Sequence, residues 1–467
     1  MTAVPVSVVV VSRHRPAELV RCLRGLAQSD YAAMELVVVA DPAGVAAAAG
    51  CGVGPLKLVG FDQANISAAR NLGVAQAAGG IVAFIDDDAV PEPNWLSRLV
   101  VAFADPGVAI AGGFVRGRNG ISFQWQARWV DPTGVAHPLT AKAPPGGETL
   151  TPDPSPRGEG GAERHRRRTP CQQGRCLGAP LVRAPNATQG EQPAMAADEA
   201  PSLHPGTATR AIKTEGTNMA VRRDVLVALG GFDEGFRFYL DETDLNLRAA
   251  RAGLVTALVP GAQVHHGFAA SARRRADRAP LDLTDIGASS MRFLRKHADP
   301  ATHAAALARL RQEQGLRVEA LCRRGQLHQA EGVALIRGLE AGIVLGLAKP
   351  LTPLDTISEA PPFLRLAGTG QRPWLLLTGW WWQGRWLRHE ARKAVAAGRL
   401  VQVMLFAPTA KPHRMQFHRD GYWEQVGGLF GRSDRSAPPV RLFTLQSRAR
   451  TECARLASVR DLGPPGG

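Results

Sequence analysis

Apolar residues at the start of this chain come as short unbroken runs separated by stretches with helical spacing. Residues 6–11 (VSVVVV) are almost wholly β-branched, 16–27 repeat apolar positions at helical intervals, and 34–40 (MELVVVA) form a second continuous run. A helix with Ala and Leu on one face is predicted over 65–80 (NISAARNLGVAQAAGG), followed by the run IVAFI at 81–85. Runs without polar alternation belong to strands covered on both faces, as in parallel sheets. The β-α-β-α-β order therefore predicts a mainly parallel sheet with right-handed crossovers. A second block contains the turn Gly-Gly-Phe-Asp at 230–233 and an aromatic stretch with Phe236, Phe238 and Tyr239. It leads into a helix that opens on Asp241, Glu242 and Asp244 and ends at Gly253, where a left-handed residue costs glycine little.

Beyond these blocks the texture changes twice. Residues 281–297 and 300–342 read as Ala-, Leu- and Arg-rich helices, with 298–360 as a helical connector. Strands at 373–379, 400–407 and 440–445 and a helix ending at 397 predict a smaller α/β domain over 361–467. Its tryptophans, Trp380, Trp381, Trp382 and Trp386, suit packing in that domain's core, stacking on a sugar, or a membrane interface. Between the first two blocks, 138–211 is rich in Pro, Gly and charge, has no period and offers little to bury, which predicts a disordered insertion. Its segment TLTPDPSPRGEGG is similar to translated intergenic repeat elements of bacteria, and its RHRRR run at 164–168 reads as solvated charge.

Candidate chemistry concentrates at strand and helix ends. The strand at 81–85 stops in three carboxylates, Asp86, Asp87 and Asp88, and Asp41 ends the run at 34–40 in the same way. Ligands of open α/β sheets bind outside the carboxyl ends of strands. Carboxylate oxygens there suit Mg²⁺ or Mn²⁺ shared with substrate phosphates. The carboxylates at 241–244 also fit simple capping, since a helix N-terminus attracts negative charge, although one of them would suffice. Arg70 reads either as a contact to phosphates or as a charge on a helix surface.

Two stretches, FDQANISAARNLGVAQAAGGIVAFIDDDAVPEPNWL and GTNMAVRRDVLVALGGFDEGFRFYLDETDLNLRAARAG, together resemble the family 2 glycosyltransferases of GT-A fold. The resemblance covers about 1–135 and 212–297, the nucleotide-sugar half and the acceptor and catalytic half. It implies an inverting transfer from a nucleotide-diphosphate sugar, with Mg²⁺ or Mn²⁺ as cofactor. By position it implies that Asp41 contacts the donor's base or ribose, that Asp86–Asp88 are the DxD motif with Asp88 the metal ligand and Asp86 the ribose contact, and that Glu242 is the base. The family's Glu-Asp pair is reversed here to Asp241-Glu242, which leaves the choice between the two open. His265 or His266, in VPGAQVHHGF, falls where relatives place a histidine near metal and diphosphate. Thr217 and Asn218 lie in the segment that forms the donor and acceptor floor.

Charge adds a partner. The formal net charge is +15; residues 1–270 hold 25 Lys or Arg and 25 Asp or Glu, while 271–467 hold 31 and 16. A basic C-terminal part suits anionic lipid headgroups or a polyanionic acceptor, with nucleic acid the disfavoured partner. No apolar run reaches the ~20 residues of a membrane span. Six cysteines without paired CxxC spacing suit a reducing compartment, so the expected location is cytoplasmic, with peripheral contact at the inner membrane face. The expected product is a polysaccharide or a lipid-linked glycan. Two rival readings are a sugar nucleotidyltransferase, against which SRHRPAEL lacks a glycine-rich triphosphate loop, and an impaired transferase that binds anionic polymer or nucleic acid.

Overall fold

The computed structural model describes residues 3–139, 200–267, 271 and 273–462. The first part runs β1 (Val6–Ser12), α1 (Pro16–Leu26), β2 (Met34–Ala40), α2 (Pro42–Ala49), β3 (Lys57–Gly60), α3 (Ile66–Gln76), β4 (Ile81–Asp86), β5 (Ala89–Pro91), α4 (Trp95–Ala102), β6 (Val108–Arg116), β7 (Phe123–Trp125), β8 (Arg128–Val130) and β9 (Ala136–Pro138). Then come β10 (Ser202–Pro205), β11 (Ala211–Ile212), β12 (Met219–Arg222), α5 (Arg223–Ala228), α6 (Asp241–Arg251), β13 (Val255–His266), α7 (Thr284–His297), α8 (Pro300–Arg323) and α9 (Gln329–Ala348). The chain finishes with β14 (Trp374–Trp380), α10 (Gly384–Ala396), β15 (Leu400–Ala407), β16 (Arg414–Phe417), β17 (Trp423–Gly428) and α11 (Leu445–Leu456).

The central sheet has the order β10-β13-β6-β12-β4-β1-β2-β3, with β5 added to β13 and β7 to β6. Strands β4, β1, β2 and β3 are mutually parallel, as their unbroken apolar runs predict. β12 enters antiparallel between β4 and β6, and β6 runs parallel to β13. The lack of alternation has a direct cause. Val8, Val10, Leu36 and Val38 pack on one face with Leu19, Leu23 and Leu99, while Val9, Val37 and Val39 pack on the other with Ala69, Val74, Leu226 and Leu245. Each fully buried Val or Leu contributes about 1.5–3 kcal/mol, so both faces are strongly held.

Two expectations need correction. Residues 202–211 fall in the segment expected to be disordered, yet β10 pairs with the edge strand β13 and β11 pairs with β8. The sheet edges supply hydrogen bonds that this polar segment's composition conceals. The rest of that expectation, 140–199, lies outside the described residues. The expected strand at 440–445 is also absent: Val440 makes only an isolated bridge to Gly431, and Leu442 is 85% exposed. The Thr444 hydroxyl instead accepts from the Ser447 backbone N–H and starts α11.

Residues 350–372 carry little regular structure but are not slack. They form a strap along the back of the core, where the Leu364 N–H donates to Glu35 Oε2 (2.7 Å), the Leu366 N–H donates to Met34 O (2.8 Å) and the Gly370 N–H donates to Ser29 O (2.9 Å). The strap delivers a four-stranded sheet of order β14-β15-β17-β16, in which only β16 is antiparallel. This small α/β layer shares an apolar cluster with the core: Val90 and Ile121 pack with Met404, Phe406, Met415, Phe417 and Trp423. Arg460 is buried between the two. Its Nε and Nη2 donate to the two oxygens of Glu92 (2.7 and 2.8 Å), and its guanidinium lies 3.9 Å over the Trp423 ring. Among the described residues no helix is long and apolar enough to cross a membrane.

Inside the small layer, His413 is held between the Gly428 carbonyl (2.8 Å), the Gln425 amide (2.7 Å) and Arg448 (3.0 Å), with Glu452 beside them. Burial keeps its imidazole neutral and pushes its pKa down to about 4. The unfolded chain, with an ordinary value of about 6.5, takes up that proton first. The stability due to neutral His413 is therefore full above about pH 6.5 and is lost as pH falls toward 4. Melting temperature should fall steadily across that window, and more shallowly in His413→Gln; parallel curves for the two proteins would remove His413 as the cause.

Candidate active site

The carboxyl ends of β1 and β4, the start of α6, the end of β13 and one face of α8 enclose a cavity of about 850 Å³. Asp86 and Asp88 line it from the end of β4, and His266 lines it from β13. Side chains alternate along a strand. His266 accordingly faces the cavity, while its neighbour His265 faces away, its Nε2 2.7 Å from Glu92 Oε1 and its ring against Trp423. Of the two histidines, only His266 joins the acidic pair. Its Nε2 is 3.1 Å from Asp88 Oδ1 and 3.9 Å from Asp86 Oδ2, and one ligand atom from each of the three lies within 4.8 Å of the others. Two carboxylates and an imidazole are a donor set that fits a divalent cation such as Mn²⁺ or Mg²⁺.

The middle aspartate does something else. Asp87 is fully buried, accepts from the Ser12 hydroxyl (2.7 Å) and pairs with Arg15 Nη2 (2.5 Å). It does not line the cavity but fixes Arg15, whose Nη1 reaches Asp88 Oδ2 at 3.3 Å. Asp41, expected on the donor, is buried at the N-cap of α2, and its Oδ1 accepts the His14 backbone N–H (3.0 Å). His14 lines the cavity and Asp41 does not, so Asp41 bears on the site through the loop it holds.

On the opposite wall, Tyr239 and Leu240 both take left-handed backbone conformations, with φ of 73° and 65°. Two such residues in succession are costly for side chains with a Cβ, by about 1–3 kcal/mol each, and are kept only where the surroundings impose them. Here they turn the chain so that Asp241 and Glu242 enter the cavity together. Lys213 Nζ donates to Glu242 Oε1 (2.8 Å). Burial alone would raise the Glu242 carboxyl, but Lys213, Arg70 and a hydrogen bond from Asp241 together outweigh it and hold the group low, hence ionised. Burial dominates at Asp241 and raises it, against the opposing charge of Arg70.

Arg70 is not a surface charge but a buried residue that lines the cavity. It is bonded through Nη1 to Asp241 Oδ2 and through Nη2 to Asp86 Oδ1 at 3.4 Å. One guanidinium thus ties the two acidic groups together. Gly216 makes room for it, since a Cβ there would stand 2.3 Å from Arg70 Nη2. Thr217 lines the cavity with a buried hydroxyl that has no hydrogen-bond partner among the described residues. Asn218 lies outside the lining; fully buried, it accepts from Trp95 Nε1 (2.7 Å) and donates to Phe114 O and Ala262 O (both 2.9 Å). It clamps the sheet beneath the expected acceptor floor.

Several lining residues carry no mark in the sequence. Lys213 and Arg15 acquire their meaning only from partners far along the chain. Trp125, with its ring 5.7 Å from that of His266, and Arg309, Glu313 and Arg317 of α8 lie outside every motif.

A family profile described as "Glycosyltransferase like family 2" matches residues 4–279, more than half of the chain. The chain belongs to this family. The family 2 glycosyltransferase shares 41% identity over 58 residues with the glycosyltransferase AglE of Haloferax volcanii, a match covering 12% of this chain and 19% of that protein. Among solved structures it is similar to GalNAc-T7, crystallised with UDP, GalNAc and Mn²⁺ (TM-score 0.39, 14% identity, 63% of this chain and 48% of that one). It is also similar to the mannosyltransferase PcManGT of Pyrobaculum calidifontis in complex with GDP-Man and Mn²⁺ (TM-score 0.38, 18% identity, 74% and 88%). The parallel β3-β2-β1-β4 layer, with acidic residues at the end of β4, agrees with the GT-A arrangement that the sequence implies for this family 2 glycosyltransferase.

Proposed function

We propose that this glycosyltransferase moves a sugar from a nucleoside-diphosphate donor to an acceptor hydroxyl with inversion, in polysaccharide or lipid-linked glycan synthesis. The observation that carries the reading is the single cavity in which Asp86, Asp88 and His266 face Asp241 and Glu242, with Arg70 bridging the two groups. Asp86, Asp88 and His266 would hold the cation. When bound, Mg²⁺ or Mn²⁺ supplies Lewis-acid stabilisation to the departing diphosphate.

Glu242, ionised beside Lys213, takes the proton of the acceptor hydroxyl as its oxygen attacks the anomeric carbon. The bond from that carbon to the donor phosphate breaks, and the nucleoside diphosphate leaves with the electron pair. Asp241 positions Arg70 and, through it, Asp86. The Thr217 hydroxyl, with no partner among the described residues, hydrogen-bonds the bound sugar or acceptor. The acceptor lies at a membrane surface, and the basic C-terminal part makes peripheral contact there. A screen of purified protein against nucleotide sugars with Mg²⁺ and Mn²⁺ tests the reading. Release of one nucleoside diphosphate, dependent on cation, is expected. Incorporation of a nucleoside monophosphate from a triphosphate would instead favour nucleotidyl transfer.

A further inference from the structure

Three tryptophans of the C-terminal layer, unlike Trp423, do not fill its core. Trp381, Trp382 and Trp386 are 59%, 57% and 60% exposed, an unusual state for a side chain that is mostly buried on average. They stand on a 3₁₀ turn (Trp381–Gln383) and on the first turn of α10. The group is anchored rather than loose. Trp380 packs against the layer's apolar cluster and stacks on Trp382, with centroids 5.0 Å apart and planes at 8°, and Trp381 meets Trp382 edge-on at 6.1 Å. Helix α10 is amphipathic, with Gly384, Leu387 and Ala391 facing inward and Arg385, His389, Arg392 and Lys393 facing outward, and Trp386 departs from that pattern by standing among the outward cations. It carries four Arg or Lys against one Glu. Arg385 makes no ion pair among the described residues. None of the three exposed tryptophans lines the active-site cavity.

We propose that the face formed by Trp381, Trp382, Trp386 and the outward cations of α10 docks the protein on an anionic membrane surface. Indoles have an apolar body and a polar N–H, and they settle at the boundary between headgroups and acyl chains. Each basic residue brought near an anionic surface strengthens attachment about fivefold. The neighbouring chemistry separates a bilayer from a glycan. A sugar platform needs an open ring face flanked by hydrogen-bonding amides or carboxylates. Here Trp380 covers one face of Trp382, the Gln383 carbonyl accepts from the Trp380 N–H, and the outward polar groups on α10 are mainly cationic. The proposal takes its purpose from the membrane-side acceptor inferred above, while its geometry is independent of that site.

The test uses the full chain and vesicles of phosphatidylcholine with or without phosphatidylglycerol. Wild type should sediment with the anionic vesicles and not with the neutral ones, and its indole emission should shift to the blue on binding. Binding should weaken as salt shortens the screening length below its ~10 Å at 0.1 M. Replacing Trp381, Trp382 and Trp386 together by Ser should lower the partition constant by at least about tenfold. Arg385→Glu with Lys393→Glu should also lower it, by about tenfold or more from the charge effect. Melting temperature and donor hydrolysis in solution should stay at wild-type values in both variants. A wild type that ignores anionic vesicles, or a triple variant that partitions like wild type, overturns the proposal. So does a triple variant that loses binding to a soluble glycan or to a second copy of the chain while still sedimenting. Donor hydrolysis is read in the same samples, so failure of docking and failure of the transferase reading give different results.

Discussion

Glu242→Gln lowers turnover about 10³-fold while donor affinity stays within about twofold, because the amide keeps the shape and hydrogen-bonding reach of the side chain but accepts no proton. The loss belongs to the chemical step, so kcat falls and KM for the donor holds. Lys213 sits 2.8 Å from this carboxylate and keeps it ionised before the acceptor arrives. Asp241→Asn supplies the contrast. It weakens the link through Arg70 to Asp86 and so disturbs donor binding as well as turnover. Steady-state kinetics on both variants decides the assignment. A pure kcat effect from Asp241→Asn, together with a small effect from Glu242→Gln, would transfer the base role to Asp241. Small equal losses from both would leave them as helix caps.

The second large effect is expected at Asp88. Asp88→Ala should weaken cation-dependent binding of a nucleoside diphosphate by more than about 100-fold, because mutation of residues that merely support metal ligands already costs about 10–100-fold. The fold should survive. Asp87, not Asp88, makes the close contact with Arg15 and the bond to Ser12, so melting temperature should change by no more than a few degrees. Calorimetry with and without Mn²⁺ measures the loss. Wild-type affinity in the variant would remove Asp88 from the metal site.

How much of this could be read from residues alone depended on whether local pattern or tertiary context decides. β2 and β15 fall on the expected bounds because each is an apolar run interrupted by a single polar residue, Glu35 or Gln402. At 440–445 a short apolar-rich stretch misled, since Val440 and Leu442 are exposed and Thr444 instead caps a helix. In the site, a strand that ends in carboxylates is legible anywhere it occurs, and so was the second acidic group. The choice between His265 and His266 was not, because it turns on which face of β13 looks inward. Arg70 read either as a contact to phosphates or as a charge on its helix surface, and only the fold shows that Asp86 and Asp241 arrive on either side of it. Lys213 had no local signal at all.

Arg460 ties the geometry of the candidate site to a part of the chain that supplies none of the cavity's lining. Glu92 lies on the loop after β5, whose pairing to β13 sets His265 and His266 in register. The guanidinium that matches its buried charge stands 368 positions further along the chain. The strand that carries His266 is thus held in register with help from a layer that lies outside the cavity.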